Sequence, residues 1–123
     1  MIKEVKLSYP TIRTIVVNNL PGGFRKQSEN GREIYSGYFL PNNFYKDGSS
    51  APDRAYVKVT ILGEGRPFDV DVRVYLESRE QGEREYSDNG QDDDLAAKVG
   101  DRLQKALADR REDRNVIDVF RAF

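Results

Sequence analysis

The sequence predicts an α+β fold. It consists of an antiparallel sheet of about four to six strands, packed on one face by a single C-terminal amphipathic helix, with a terminal strand after it. Three observations predict this. Residues 55–80 alternate apolar and polar side chains on both sides of a glycine-rich turn. From Leu95 onward the apolar residues fall at helical spacing instead. Between these segments lie short clusters of Asn, Gly, Pro, Asp and Ser that interrupt regular structure. One domain spanning residues 1–123 accommodates all of it.

The elements follow in order. In "KEVKLSYP", Val5, Leu7 and Tyr9 alternate with polar neighbours, the period of a half-buried strand. After Pro10, "TIRTIVVNNL" carries the β-branched run Ile15, Val16 and Val17, which predicts a strand covered on both faces. "NNLPGG" ends it, and "FRKQSENGRE" reads as polar and turn-prone. "EIYSGYFLP" predicts a third strand, and "PNNFYKDGSSAPDR" a long loop pinned back by Phe44 and Tyr45. The clearest hairpin follows. Val57, Val59 and Ile61 share one face before the "GEGRP" turn, and Phe68, Val70, Val72, Val74 and Leu76 share one after it. Asp69, Asp71, Arg73, Tyr75 and Glu77 take the other face, so the sheet has one wet side. A further short strand is expected at "REYSD". Leu95, Val99, Leu103, Ala106 and Leu107 then make one stripe of a helix over residues 92–111. The terminal "NVIDVFRAF" is too apolar for a free tail and predicts a closing strand or an extended docked segment.

Composition removes several kinds of chemistry. The chain has no Cys, no His and no Trp, so disulfides, thiolate nucleophiles and zinc sites of the Cys/His kind are excluded. The commonest general base is absent as well. Lys plus Arg is 20 against 21 for Asp plus Glu, which leaves no overall field to attract nucleic acid or an anionic membrane, and no nucleic-acid partner is expected. No stretch is long and apolar enough to cross a bilayer, and no signal-peptide pattern is read at the start. Seven Tyr and six Phe require burial, which argues against disorder over the whole chain.

Two acidic groupings invite a functional reading. "SDNGQDDDLAAK" has three consecutive aspartates, Asp92, Asp93 and Asp94. A calcium loop of the helix–loop–helix kind needs glycine at its sixth position and glutamate at its twelfth. Counted from Asp88, those positions hold Asp93 and Val99. Helix capping explains the run better: Asp92 or Asp93 accepts backbone N–H bonds, and the other carboxylates face the positive end of the helix dipole. Asp69 and Asp71 point the same way from one strand, as acid–base pairs can, but charges at alternate positions of a wet face ordinarily pair with neighbours such as Arg73 and Lys58. "NNLPGGFRK" lacks the spacing of a phosphate-binding loop and the helix that follows one. No metal, no cofactor and no catalytic constellation is therefore expected, and a non-enzymatic role is.

The candidate contact residues are aromatic. Tyr35, Tyr38, Phe39, Phe44 and Tyr45 cluster in sequence, flanked by Arg32 and Lys46. They serve either core packing and loop pinning or a partner-binding patch, since Tyr and Phe are enriched at interfaces. The terminal segment offers a second route, by strand addition at an exposed edge. An unidentified protein partner is the expected one.

The opening "YPTIRTIVVNN", the hairpin "AYVKVTILGEGRPFDVDVRVYLE" and the late helix "LAAKVGDRLQKAL" together resemble the soluble domains of small bacterial cell-envelope lipoproteins, including those of the lipopolysaccharide-assembly kind. The resemblance is one of pattern over most of the chain, and no lipid-bearing cysteine is present. It implies a periplasm-facing domain of the bacterial envelope that contacts other proteins or lipid, reaching the membrane only through a lipid anchor outside this chain. Met1 would then replace a removed signal and anchor. The alternative is a cytosolic interaction or accessory module that binds its partner through the Tyr/Phe patch or the terminal strand.

Overall fold

A computed structural model describes the backbone of residues 1–121 and the side chains of residues 1–109. The class is α+β, with an eight-stranded antiparallel sheet. In chain order the elements are β1 (Ile2–Val5), α1 (Tyr9–Asn19), β2 (Phe24–Gln27), β3 (Glu33–Ser36), β4 (Phe39–Leu40), β5 (Asn43–Asp47), β6 (Asp53–Leu62), β7 (Phe68–Ser78), β8 (Ser87–Gln91) and α2 (Asp93–Arg121). There are more strands than the sequence pattern suggested, because several are too short to show a period.

The predicted hairpin is the centre of the sheet. β6 and β7 pair without a bulge from Asp53↔Ser78 to Leu62↔Asp69. Ala55, Val57, Val59 and Ile61 on β6, with Val70 and Val74 on β7, are buried on one face. The outer edge of β7 is shared by β1 at one end and β8 at the other. The outer edge of β6 is shared likewise by β3 and β4, which are flanked in turn by β2 and β5.

Between β3 and β4 the ladder to β6 is broken, and a side chain replaces it. Ser36 is fully buried, and its Oγ accepts the Val57 N–H at 2.8 Å while donating to the Gly37 carbonyl. Next to it, Gly37 N–H donates to the Gly23 carbonyl at 2.8 Å. A Cβ on Gly22, which sits at φ +78°, would lie 2.4 Å from Gly37 O. Only glycine allows that approach and that backbone angle.

Residues 9–19 are helical, not the strand predicted for "TIRTIVVNN". Ser8 caps the helix, its side chain accepting the Thr11 N–H at 3.4 Å, and Pro10 stands in the first turn, where its missing N–H costs nothing. Ile12, Ile15 and Val16 then fall on one buried stripe at helical spacing. Locally the β-branched run favours a strand, but burial against α2 and the sheet decides the state.

α2 places Leu95, Val99, Leu103 and Leu107 in the core, as predicted, against β7, β1 and α1. The segment expected to form a terminal strand instead continues α2 to Arg121. No Gly or Pro interrupts 101–121, and Val116, Ile117 and Phe120 recur at intervals of three and four, a spacing that suits a helix as well as a strand. Ala122 and Phe123 lie outside the described residues.

Two substitutions test this packing. Leu103→Ala, at a site of 0 % exposure, is expected to cost about 2–5 kcal/mol in urea-induced unfolding. Ser36→Ala leaves the buried Val57 N–H without its acceptor and is expected to cost about 1–3 kcal/mol by the same measurement. An unchanged midpoint in either variant would refute the corresponding contact.

Candidate functional site

Both helices lie on one face of the sheet, because that is where the central strands β6 and β7, together with β1, β3 and β4, point their buried apolar side chains. The opposite face carries the polar phase of the hairpin: Arg54 against Glu77, Tyr56 against Tyr75, Lys58 against Arg73 and Thr60 against Asp71. Tyr35 lies across from Lys58 on β3. Tyr38 precedes Phe39, which pairs with Ala55, so its ring joins the same open face.

The rings and guanidinium groups of this face are stacked on one another. The Tyr56 and Tyr75 rings stack at 5.4 Å with 19° between planes, and Tyr38 meets Tyr56 edge-on at 5.9 Å. Arg54 lies between two rings, 3.6 Å from the Tyr38 centroid and 3.4 Å from that of Tyr86. Arg25 covers the other side of the group, 4.5 Å from Tyr38 and 5.0 Å from Tyr56. Arg79 extends the series at 4.8 Å from Tyr86. An alternating row, Arg25–Tyr38–Arg54–Tyr86–Arg79, thus crosses the open face. Its polar ends are tied to backbone: Arg25 to Ser36 O, Arg54 to Ser49 O, Arg79 to Ser50 O and Tyr86 to Ala51 O. The row fastens the 48–52 loop to the sheet.

Ion pairs balance the rest of the face. Arg54 meets Glu77 at 2.9 Å, Arg73 meets Asp71 at 2.9 Å and Lys58 meets Glu33 at 3.6 Å. Asp69 accepts the Glu4 N–H at 3.0 Å and faces Lys3 at 4.0 Å. Asp69 and Asp71 are therefore engaged by separate partners. The aspartate run behaves as a helix start: Asp92 Oδ1 accepts the Leu95 N–H at 3.0 Å, and Asp93 and Asp94 occupy the first turn. Among the described residues, no group of three or more carboxylates comes together in a way that could hold a metal ion.

The predicted aromatic patch divides. Tyr35 and Tyr38 stand on the open face with Tyr56, 6.4 and 5.9 Å from its ring. Phe39 is fully buried, and Phe44 packs on it edge-on at 5.4 Å, so both serve the core. Tyr45 is 86 % exposed on β5 and borders a groove of about 410 Å³ with Tyr38, Phe44 and Lys46. Arg25, Arg54, Tyr56, Tyr75 and Tyr86 were not singled out in the sequence. Tyr56 and Tyr75 had a signal, since each occupies the polar phase of the hairpin next to an apolar residue. Arg25 had none.

The Tyr35 hydroxyl donates to Glu33 Oε2 at 2.8 Å. That bond first, and then burial and the Glu33 charge, push the Tyr35 phenol up to about 12. The same bond, followed by the Lys58 charge, holds the Glu33 carboxyl below its ordinary value. Burial, and then Glu77, raise Tyr56 as well. The folded chain keeps the Tyr35 proton where the unfolded chain, with an ordinary phenol at 10.0, releases it. Its contribution to stability is thus present below pH 10.0 and lost as pH rises through about 12. In an alkaline absorbance titration, the phenol step nearest pH 12 is expected to vanish in Tyr35→Phe. Its survival there would show that another tyrosine carries it.

Comparison of the chain with protein families, with curated proteins and with solved structures gave no match.

Proposed function

We propose that this chain is a non-enzymatic binding module that receives a protein partner on the open, tyrosine–arginine face of its sheet. One observation carries the reading. Among the described residues neither helix packs on that face, yet it holds half-buried Tyr35, Tyr38, Tyr56 and Tyr75 interleaved with guanidinium groups. Tyr and Arg are the side chains that most often anchor protein interfaces, because each offers a large flat contact area and a polar end. Here the rings are already held by stacking, so little side-chain freedom remains to be lost on docking.

The envelope setting rests on the sequence pattern alone, and part of that pattern, residues 9–19, is helical. The binding reading does not depend on it.

Site-specific photo-crosslinking tests the face. A benzophenone amino acid replaces Tyr35 or Tyr75 on the open side, or Gln104 on the exposed side of α2, in cells that naturally make the protein. Adducts to one protein are expected from positions 35 and 75 and not from position 104. Equal adducts from position 104, or none from the open face, would reject the proposal.

A further inference from the structure

On one margin the sheet ends at β2 and β5, and at β2 the balance of charge changes beside the tyrosine face. Every cation of β1, β6 and β7 has a carboxylate within 4.0 Å: Lys3 with Asp69, Arg54 with Glu77, Lys58 with Glu33 and Arg73 with Asp71. On β2, Arg25 and Lys26 have none among the described residues, and neither does Arg13, which reaches β2 from α1. These cations lie on both sides of one strand. Arg25 and Lys26 stand on the tyrosine side, with Lys26 Nζ 4.8 Å from the Tyr35 centroid. Arg13 stands on the helix side, 5.6 Å from the Phe24 centroid and bonded to Gln27 Oε1 at 2.9 Å. Phe24 itself is 44 % exposed.

β2 is also a sheet edge. It pairs with β3 on one side, and among the described residues no strand pairs with its other side. Such an edge leaves backbone N–H and C=O groups facing outward as a template for another strand. The opposite margin of the sheet is less suited to that. It is divided between two short strands, β1 and β8. Glu4 (φ 54°) and Gly90 (φ 87°) adopt left-handed angles there, and such irregularities turn an edge away from pairing. β2 has a single register shift, at its Phe24 end.

We infer that the outer edge of β2 seats an extended acidic segment of the partner as a further antiparallel or parallel strand; this rests on the binding-module reading. Successive side chains of an added strand point to opposite faces. Carboxylates on one phase meet Arg25 and Lys26, and the other phase sets an apolar or acidic side chain against Phe24 and Arg13. A peptide fits better than a single-stranded nucleic acid. The Tyr35 ring already has Arg25 and Lys26 at 5.8 and 4.8 Å from its centroid, and a nucleic acid has no backbone to complete the strand ladder.

The test uses a short fluorescent peptide of alternating Glu and Val, its Lys/Val counterpart, the Glu/Val peptide N-methylated at alternate backbone nitrogens, and oligothymidylate. The acidic peptide is expected to bind, to weaken with added salt, and to slow amide exchange within 24–27 of the full chain. Affinity is expected to fall at least roughly tenfold for the N-methylated peptide and for the double variant Arg25→Glu/Lys26→Glu. Should that variant not fold, Lys26→Glu alone, at an exposed position, is expected to weaken binding in the same direction. Equal binding of the Lys/Val or N-methylated peptide, preference for oligothymidylate, protection outside β2, or self-association of the chain through β2 without peptide would each overturn the inference. Crosslinks that persist at positions 35 and 75 when Lys26→Glu has no effect would reject the edge and leave the binding face standing.

Discussion

The register of the β6–β7 hairpin is the constraint on which the rest of the structure depends. Its ten consecutive pairs contain no bulge, so the phase set at Asp53↔Ser78 persists to Leu62↔Asp69. A slip of one residue would exchange Val57 with Tyr56 and Val74 with Tyr75, turning the core phase toward solvent. All other strands attach directly or indirectly to these two, and α2 packs against β7. The parity that buries Val57, Val59, Val70 and Val74 is the same parity that assembles the tyrosines on the far side. Core and candidate site are two consequences of one register.

The far side is built as well as exposed. A guanidinium between two aromatic rings keeps its in-plane N–H groups free for hydrogen bonds while its faces are desolvated, which an ammonium cannot do. Arg54 shows the arrangement, with rings above and below, Glu77 at 2.9 Å and Ser49 O at 3.0 Å in its plane. The row therefore holds the 48–52 loop and the approach to β8 without apolar core beneath them. The row thus supports β8, a short strand with no buried side chain, whereas β4 is anchored by the buried Phe39.

What was legible in the sequence follows from the length over which each signal persists. The hairpin shows its period through ten pairs and the α2 stripe through more than three turns from Leu95 to Leu107, so both are legible in the sequence. The strand expected at "REYSD" overlaps β8, Ser87–Gln91, only at Ser87 and Asp88. α1 was misread because Ile15, Val16 and Val17 weigh toward a strand locally, while Ser8 and Pro10, which start the helix, could equally end a strand. β2 and β5 carry no periodic signal in four or five residues, and pairing with β3 and β4 makes them strands. The aromatic cluster was visible, but sequence proximity could not separate Phe39, in the core, from Tyr38, one residue away on the other face. The arginines that stack on Tyr38 lie 13 and 16 positions away and left no local trace.

The same stacking bears on how such a face can bind. An exposed tyrosine free to rotate must be ordered at the moment of contact, at a cost of about 0.5–1.5 kcal/mol for each side chain fixed. Tyr38 and Tyr56 are fixed beforehand by Arg25, Arg54 and Tyr75. Because the ion pairs of the central strands are internally balanced, a partner need not supply charge there and can meet the rings by shape. Charge is left over on the edge strand β2, which carries Arg25 and Lys26. On the proposed binding reading, a balanced, rigid centre with an unbalanced edge would separate the two tasks of recognition, contact area coming from the tyrosines and orientation from the edge.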